Sequence, residues 1–459
     1  MRFTTLRVLL LIYVTLPLTL VGLLVARFVN YRKKITPARQ ISSSQSAVLI
    51  TGGRMTKALH LARSFHAIGW RVVLTDGEKY AYCGPKYSEV VSAFRTHLDL
   101  AKVGETAYLD SLCKIIIQEN IDLVIPVSSP KSSLPDAKLQ LVIDAAVKKG
   151  IKEKATVVFH GTPEQIGTVD DKFLFCEKAS KLGLSSPKVF RMTSYAEVEQ
   201  FSLADYSDQS FIFKSINYNP TARLDENVFG PDDQEKLLAY ARSVDISAKS
   251  PWVLQSYIEG REYCTHGTAV NGKLTLFCCC ESSAFQVNYA HVHKPTIEQW
   301  VATYVGKERL TGQYSFDFIE EQQGNIFPIE CNPRTHTAIT TFYNTTRLAE
   351  SYLAKQDTSE EQNLDKSTSV VPEPNAKPTY WLAHELHRIF RPLAGETSLH
   401  AVKRIWRGKE AVYDPADPRP FLMLHYVHIP YLLLGLLRRG SKWKRIDFNI
   451  GKIVEVGGD

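Results

Sequence analysis

The chain has 459 residues, 44% of them hydrophobic and 22% charged, and a net charge of +7. These proportions exclude a disordered or fibrous protein and leave room for two or three domains with a sizeable core. Eight cysteines without a C-x-x-C pair exclude a zinc ribbon or a disulfide framework and fit a reducing compartment.

The basic excess clusters at Arg27, Arg32, Lys33 and Lys34 and again at Arg438, Arg439, Lys442, Lys444 and Arg445. Both clusters abut apolar segments, which points to a membrane surface and away from nucleic acid. Residues 8–26 carry no charge and, as a helix, would span roughly 28 Å of the roughly 30 Å hydrocarbon layer. Positive charge is heavier on their C-terminal side, and no small-residue cleavage site follows. Residues 1–45 therefore read as a membrane anchor and linker, single-pass or peripheral, with a cytoplasmic catalytic body behind them.

Residues 46–161 open with SAVLITGGRMTKALHLARSFHAIGWRVVLTDG, a buried strand, a glycine turn, an amphipathic helix and a second strand ending in Asp76. This is the start of a doubly wound α/β domain, with further strands expected in 121–129 and near Gly161. Gly52-Gly53 falls short of G-x-G-x-x-G, which disfavours a nicotinamide-dependent oxidoreductase. Backbone donors at this helix start, with Gly53, Arg54, Thr56 and Lys57, suit an anionic or polar substrate.

In residues 162–354, Asp170-Asp171-Lys172 opens an amphipathic helix that ends at Gly183. Residues 210–215, SFIFKS, form an apolar strand with one lysine, and Lys214 would be costly to bury without an anionic partner. WVLQSYIEGREYCTH gives a strand, a bend at Gly260 and a second strand, turned by Asn271-Gly272. The run LTLFCCC reads as reduced strand cysteines. Residues 281–294, ESSAFQVNYAHVHK, are expected to overhang an acceptor site, where Ser283 among others offers hydrogen-bonding groups.

Residues 313–336 read QYSFDFIEEQQGNIFPIECNPRTH, two strands around the turn formers Gln322-Gln323-Gly324-Asn325. Glu330 and Asn332, two apart, share a face, and Asp317 can meet them from the partner strand. Two carboxylates and an amide, with no Cys or His, make an all-oxygen site suited to Mg²⁺, with Mn²⁺ as an alternative. Arg334 would present a fork of donors to a phosphoryl group, and Thr335 and His336 follow it toward substrate. Residues 355–378 turn to Ser, Glu, Gln, Asp and Pro and read as a linker. In the appendage that follows, residues 379–459, the apolar run 421–437 is broken by His425, His428 and Pro430. Both an interfacial segment and burial against the core remain open for it.

The D-F-I and E-C-N-P-R strings, thirteen residues from Asp317 to Glu330, resemble the metal-binding end of the ATP-grasp ligases. Lys172, Lys214, the hinge QSYI and Glu262 occur in that family's order. The resemblance implies an α/β pre-ATP-grasp domain followed by an ATP-grasp domain with a small lid at about 172–258. It implies ATP phosphates on Lys172 and Lys214, adenine along Gln255, Ser256, Tyr257 and Ile258, and ribose on Glu262. By the same resemblance Mg²⁺ is held by Asp317, Glu330 and Asn332, with Arg334 and Lys214 assisting transfer. Over nearly the whole chain, strings such as GGRMTKALHLARSFHAIGWRVVL, IECNPRTHTAITTFYN and RIDFNIGKIVEVGGD resemble the ATP-grasp ligases of mycosporine-like amino acid biosynthesis. That likeness implies the joining of glycine to 4-deoxygadusol to give mycosporine-glycine, a UV-absorbing cyclohexenone. Other ATP-grasp carboxylate-amine ligases and a non-catalytic nucleotide-binding membrane scaffold are the alternatives, and a homo-oligomer is open.

Overall fold

The computed structural model describes residues 2–29, 45–127, 129–219, 227–282, 288–354, 369–392 and 396–456. Its first sheet is wholly parallel, in the order Ala93–His97, Arg71–Gly77, Ala47–Ile50, Leu123–Ile125, Val157–Val158. The helices Thr56–Ala67, Leu100–Gln118 and Ser133–Lys148 cover it. The strand Ala93–His97 has no apolar run, because it lies at the sheet edge with Arg95 and Thr96 exposed. The chain at Gly52-Gly53 is a packed turn: Gly52 has φ +62°, and a Cβ on Gly53 would press on Phe94, Leu74 and the Thr75 carbonyl at 3.1–3.2 Å.

Two antiparallel four-stranded sheets follow. The smaller comprises Val189–Met192, Trp252–Ser256, Phe211–Ser215 and Val228–Phe229, and it closes over its own core, which includes Phe211, Phe213, Trp252 and Leu254. The larger runs Lys273–Glu281, Arg261–Val270, Gly312–Glu320, Ile326–Asn332. Its Asn271-Gly272 turn has φ of +48° and +83°, the left-handed pair that a two-residue hairpin needs. One face of this sheet packs the aromatics Tyr314, Phe316 and Phe318 against Phe175, Trp300 and Tyr304, the last two stacked at 5.4 Å. All eight cysteines are buried free thiols, with Cys278, Cys279 and Cys280 inside the strand Lys273–Glu281.

The C-terminal segment is built into the same core as the first domain. Trp381 is fully buried and donates from Nε1 to Thr56 Oγ1 at 3.0 Å, and the Thr56 hydroxyl donates to the Asn449 carbonyl at 3.0 Å. Thr379–Tyr380 pairs with Asn288–Tyr289 on one side and Lys409–Glu410 on the other. The run 421–437 resolves toward burial: Phe421, Leu424, Ile429, Leu432, Leu433 and Leu436 belong to the core. Gly84 lies so close to this run that a Cβ would meet the Pro420 carbonyl at 2.6 Å. The helix Arg2–Val29 rests on it through Thr15 and Thr19, which bond the Tyr426 hydroxyl, and through Leu9. Among the described residues, two helices, Arg2–Gly22 and Arg419–Arg439, are long and apolar enough to cross a membrane, and the second is half buried.

Candidate active site

The candidate site sits where the edge strand Ile326–Asn332 meets the lid. Strict alternation from Ile326 and Pro328 would carry Glu330 and Asn332 into the aromatic core. A β-bulge prevents this: Phe318 pairs with Pro328 but Asp317 pairs with Glu330, which leaves Ile329 extra. The inserted residue reverses the facing of the strand, so Ile326 and Cys331 enter the core while Glu330 and Asn332 meet Asp317 on the opposite face. Asn332 Nδ2 donates to Glu330 Oε1 at 3.0 Å and reaches Asp317 Oδ2 at 3.5 Å, while Arg334 donates to Asn332 Oδ1.

Two lysines approach from the lid side. Asp171 caps the helix Lys172–Lys181 by accepting from the amides of Phe173 and Leu174, which places Lys172 on its first turn, 3.7 Å from Glu330 Oε2. Lys214, on Phe211–Ser215, donates to Gln255 Oε1 at 3.1 Å. Gln255 Nε2 in turn donates to the carbonyl of the bulged Ile329 at 3.1 Å, so one amide ties the lid to the carboxylate hairpin. Ser256 and Tyr257 spend their backbone donors inside the lid, on the carbonyls of Lys188 and Ser210. Ile258 is half-buried and Tyr257 exposed at the cleft edge. Glu262 is exposed at the start of its strand, near enough to influence the charges of Lys214 and Asp317.

The charges in the site pull one another's protonation in opposite directions. Burial, then the charge of Glu330, pushes the Asp317 carboxyl well above the usual range. Burial opposes charge on Glu330 too, but Lys172, Asn332 and Lys214 outweigh it and hold that group down to about 2. Burial also lowers Lys214 and Arg334. Asp317 Oδ1 finds no donor and Arg334 Nη1 no acceptor, although both are buried. A buried acceptor and a buried donor, both unsatisfied in one cleft, fit a cation and an anion bound side by side. Among the described residues no cluster of three or more His, Cys, Asp and Glu side chains could hold a metal. Two carboxylates and an amide therefore suit an ion that keeps waters and takes phosphate oxygens, and Mg²⁺ is such an ion.

Lys57, Thr335 and His336 come together beside this cluster. Lys57 Nζ donates to the Thr335 carbonyl, and burial, with Arg334 and Arg54 adding like charge, draws its amine down to about 7. His336 is held at about 3 by burial and by Lys57, so its ring is neutral at neutral pH. Gly53 faces protein on its Cβ side, and Arg54 is committed to Asp76 at 2.6 Å and to the Tyr80 ring. Ser283 lies outside the described residues.

Several contributors escape a motif search. Asp170 is half-buried and faces the charges of Arg334, Lys172 and Glu330, although only its place in the Asp-Asp-Lys string could have drawn notice. Gln313 donates to the Pro126 carbonyl at 2.9 Å and accepts from Thr335 and Tyr352, joining the first domain to the hairpin. His266 accepts from the His336 amide at 3.3 Å, and Tyr289 packs edge-on to the His336 ring at 5.4 Å. Asn449 bonds Thr337 at 3.2 Å from across the chain.

Against known proteins, no family model matches the chain and no curated protein is significantly similar. Solved structures are. The ADP complex of an N5-carboxyaminoimidazole ribonucleotide synthetase matches with a TM-score of 0.52 at 12% identity, over 77% of this chain and 87% of that one. The Campylobacter jejuni biotin carboxylase in complex with β,γ-ATP matches at 0.51, 12% identity, over 66% and 70%. The biotin carboxylase domain of the Hydrogenobacter thermophilus 2-oxoglutarate carboxylase, with MgADP, ADP and bicarbonate, matches at 0.50, 11% identity, over 68% and 71%. The likeness is one of fold, and it assigns this chain the mixed α/β ATP-grasp architecture.

Proposed function

We propose that the chain is an ATP- and Mg²⁺-dependent ligase that activates an enol or carboxyl oxygen by phosphorylation and replaces it with an amine. More particularly, it joins glycine to 4-deoxygadusol to give mycosporine-glycine. The observation that carries the general reading is the convergence of Asp317, Glu330 and Asn332 with Lys172, Lys214 and Arg334 around unsatisfied buried polar atoms. The choice of substrates is supported by the sequence resemblance over nearly the whole chain.

In this reading Lys172 and Lys214 bind the ATP phosphates, residues 255–258 receive adenine and Glu262 receives the ribose hydroxyls. Asp317, Glu330 and Asn332 would hold Mg²⁺, which would supply positive charge to the ATP phosphates. Arg334 steadies the transferring group, its guanidinium fixed by Asn332. Lys57, Thr335 and His336 line the acceptor side, where a cationic Lys57 offsets charge on the enolate. Hydroxide leaves an enolised 1,3-dicarbonyl poorly. The enol oxygen therefore takes the γ-phosphoryl, ADP departs, the glycine amine adds at that carbon, and the C–O bond breaks to release phosphate. The membrane anchor proposed for the N-terminal helix would keep this body on the cytoplasmic side.

The test is mass spectrometry of products from purified protein with ATP, Mg²⁺, 4-deoxygadusol and a mixture of amino acids, with ADP followed in parallel. A glycine adduct with stoichiometric ADP is expected. Stoichiometric ADP with a different adduct would overturn the substrates and keep the ligase class, and nucleotide binding without acceptor-dependent ADP release would leave a scaffold.

A further inference from the structure

Two helices of the C-terminal segment, Leu382–Phe390 and Ser398–Arg407, pack side by side with their polarity reversed. Charge lies inside. The fully buried Glu385 accepts from Arg388 at 2.8 Å and from Arg404 at 2.7 Å, and Arg404 also grips Glu396 at 2.9 and 3.0 Å. Apolar groups lie outside. Trp406 is 86% exposed and Phe390 82%, with Leu386, Leu399 and Val402 also in the open. Leu399, Val402 and Trp406 follow the spacing of one helix face, as do Leu386 and Phe390. A water-facing helix pair would show the opposite arrangement.

The charge on this face is of one sign. Arg391, Lys403 and Arg407 are exposed beside the apolar side chains, whereas residues 382–407 contain only two acids, Glu385 and Glu396, and both are used in the internal ion pairs. The helix pair is also linked to the most apolar element of the chain by a line of side-chain contacts. His384 packs on Phe448 at 5.5 Å, Phe448 stacks on His425 at 4.9 Å, and the adjacent Tyr426 bonds Thr15 and Thr19 of Arg2–Val29. On that helix Phe3, Leu10 and Leu18 are 66–83% exposed.

We propose that the outward face of these two helices docks on an anionic lipid bilayer, with Leu386, Phe390, Leu399, Val402 and Trp406 entering the interface and Arg391, Lys403 and Arg407 meeting lipid phosphates. Long basic side chains lie along apolar surface with their charged ends at the headgroups, which is the pairing this face presents. The docking is independent of which reaction the ligase site performs.

Because all eight cysteines are buried, a cysteine introduced at position 402 or 390 of the full-length chain can carry a single polarity-sensitive fluorophore. Val157→Cys, on the exposed edge of the first sheet, is the control. With vesicles of phosphatidylcholine and phosphatidylglycerol, the probes of Val402→Cys and Phe390→Cys should shift to the blue and be quenched by brominated lipid, while the control stays unchanged. Vesicles of phosphatidylcholine alone should give less insertion. Combining Arg391→Glu, Lys403→Glu and Arg407→Glu should lower the inserted fraction at least tenfold, since each basic side chain at an anionic surface contributes roughly a fivefold preference. Unquenched probes at 402 and 390 on protein that still co-sediments with the vesicles would overturn the proposal. So would a blue shift that grows with protein concentration without lipid, which would make the face a contact between copies of the chain.

Discussion

The carboxylate hairpin and the C-terminal segment both shape the cleft, but they act over different distances along the chain. In the hairpin the contacts that set the chemistry join residues 2 and 15 positions apart, Asn332 with Glu330 and with Asp317. In the C-terminal segment they join residues 325 and 393 apart, Trp381 and Asn449 with Thr56. Short-range geometry thus determines which atoms face each other, and long-range packing determines where that face is held. Damage to the first should stop the reaction in a folded protein, and damage to the second should unfold the frame around an intact hairpin.

The largest expected effect is chemical. Asp317→Asn or Glu330→Gln should lower turnover by at least about a thousandfold, because each removes a carboxylate proposed to hold Mg²⁺ against the ATP phosphates. Melting temperature should not fall for Asp317→Asn, since the change relieves a buried carboxylate beside Glu330. Next, Trp381→Ala should cost about 3–5 kcal/mol of stability, read by denaturant unfolding, because it empties a fully buried site and removes the indole donor to Thr56 Oγ1. A Trp381 variant that stays stable but loses turnover would erase the distinction between the two regions.

The C-terminal segment should also carry a pH signature of its own, at Glu410. Burial raises Glu410 from 4.5 to about 7, although it accepts from the amides of Val412 and Tyr413. A raised folded-state value means that the stability it contributes is full below pH 4.5 and is lost as pH rises through 7, about 3 kcal/mol in all. Unfolding measured from pH 5 to 8 on the parent and on Glu410→Gln should show this decline in the difference between the two, because buried histidines such as His384 and His428, lowered by burial, add stability over the lower part of that range in both. The smallest effect is expected at the join between lid and hairpin: Gln255→Ala removes the bonds to Lys214 and to the Ile329 carbonyl and should raise KM for ATP by about tenfold. An unchanged KM with lowered stability would make Gln255 a packing residue only.

These distances also explain what could be read in advance. The Asn271-Gly272 turn, the opening strand-helix-strand unit and the carboxylate pair were legible because each depends on neighbours in sequence. The face of Glu330 was legible only from its spacing to Asn332; alternation from Ile326 points it the wrong way, and the bulge at Ile329 that corrects this has no local signal. Ala93–His97 was missed because an edge strand needs no apolar run. The partners of Trp381, Asn449 and Gln313 were not legible, since nothing in a single sequence says which residue 325 positions away will meet an indole. The run 421–437 was ambiguous for the same reason, as a membrane and a protein core select the same side chains.

The central claim is that the acceptor oxygen is phosphorylated before the amine replaces it. The direct measurement is a single-turnover reaction with ¹⁸O in the enol hydroxyl of the acceptor, followed by mass spectrometry of the inorganic phosphate. One ¹⁸O in each phosphate released is the result this account predicts. Unlabelled phosphate, formed while the substrate pool still carries its label, would contradict it.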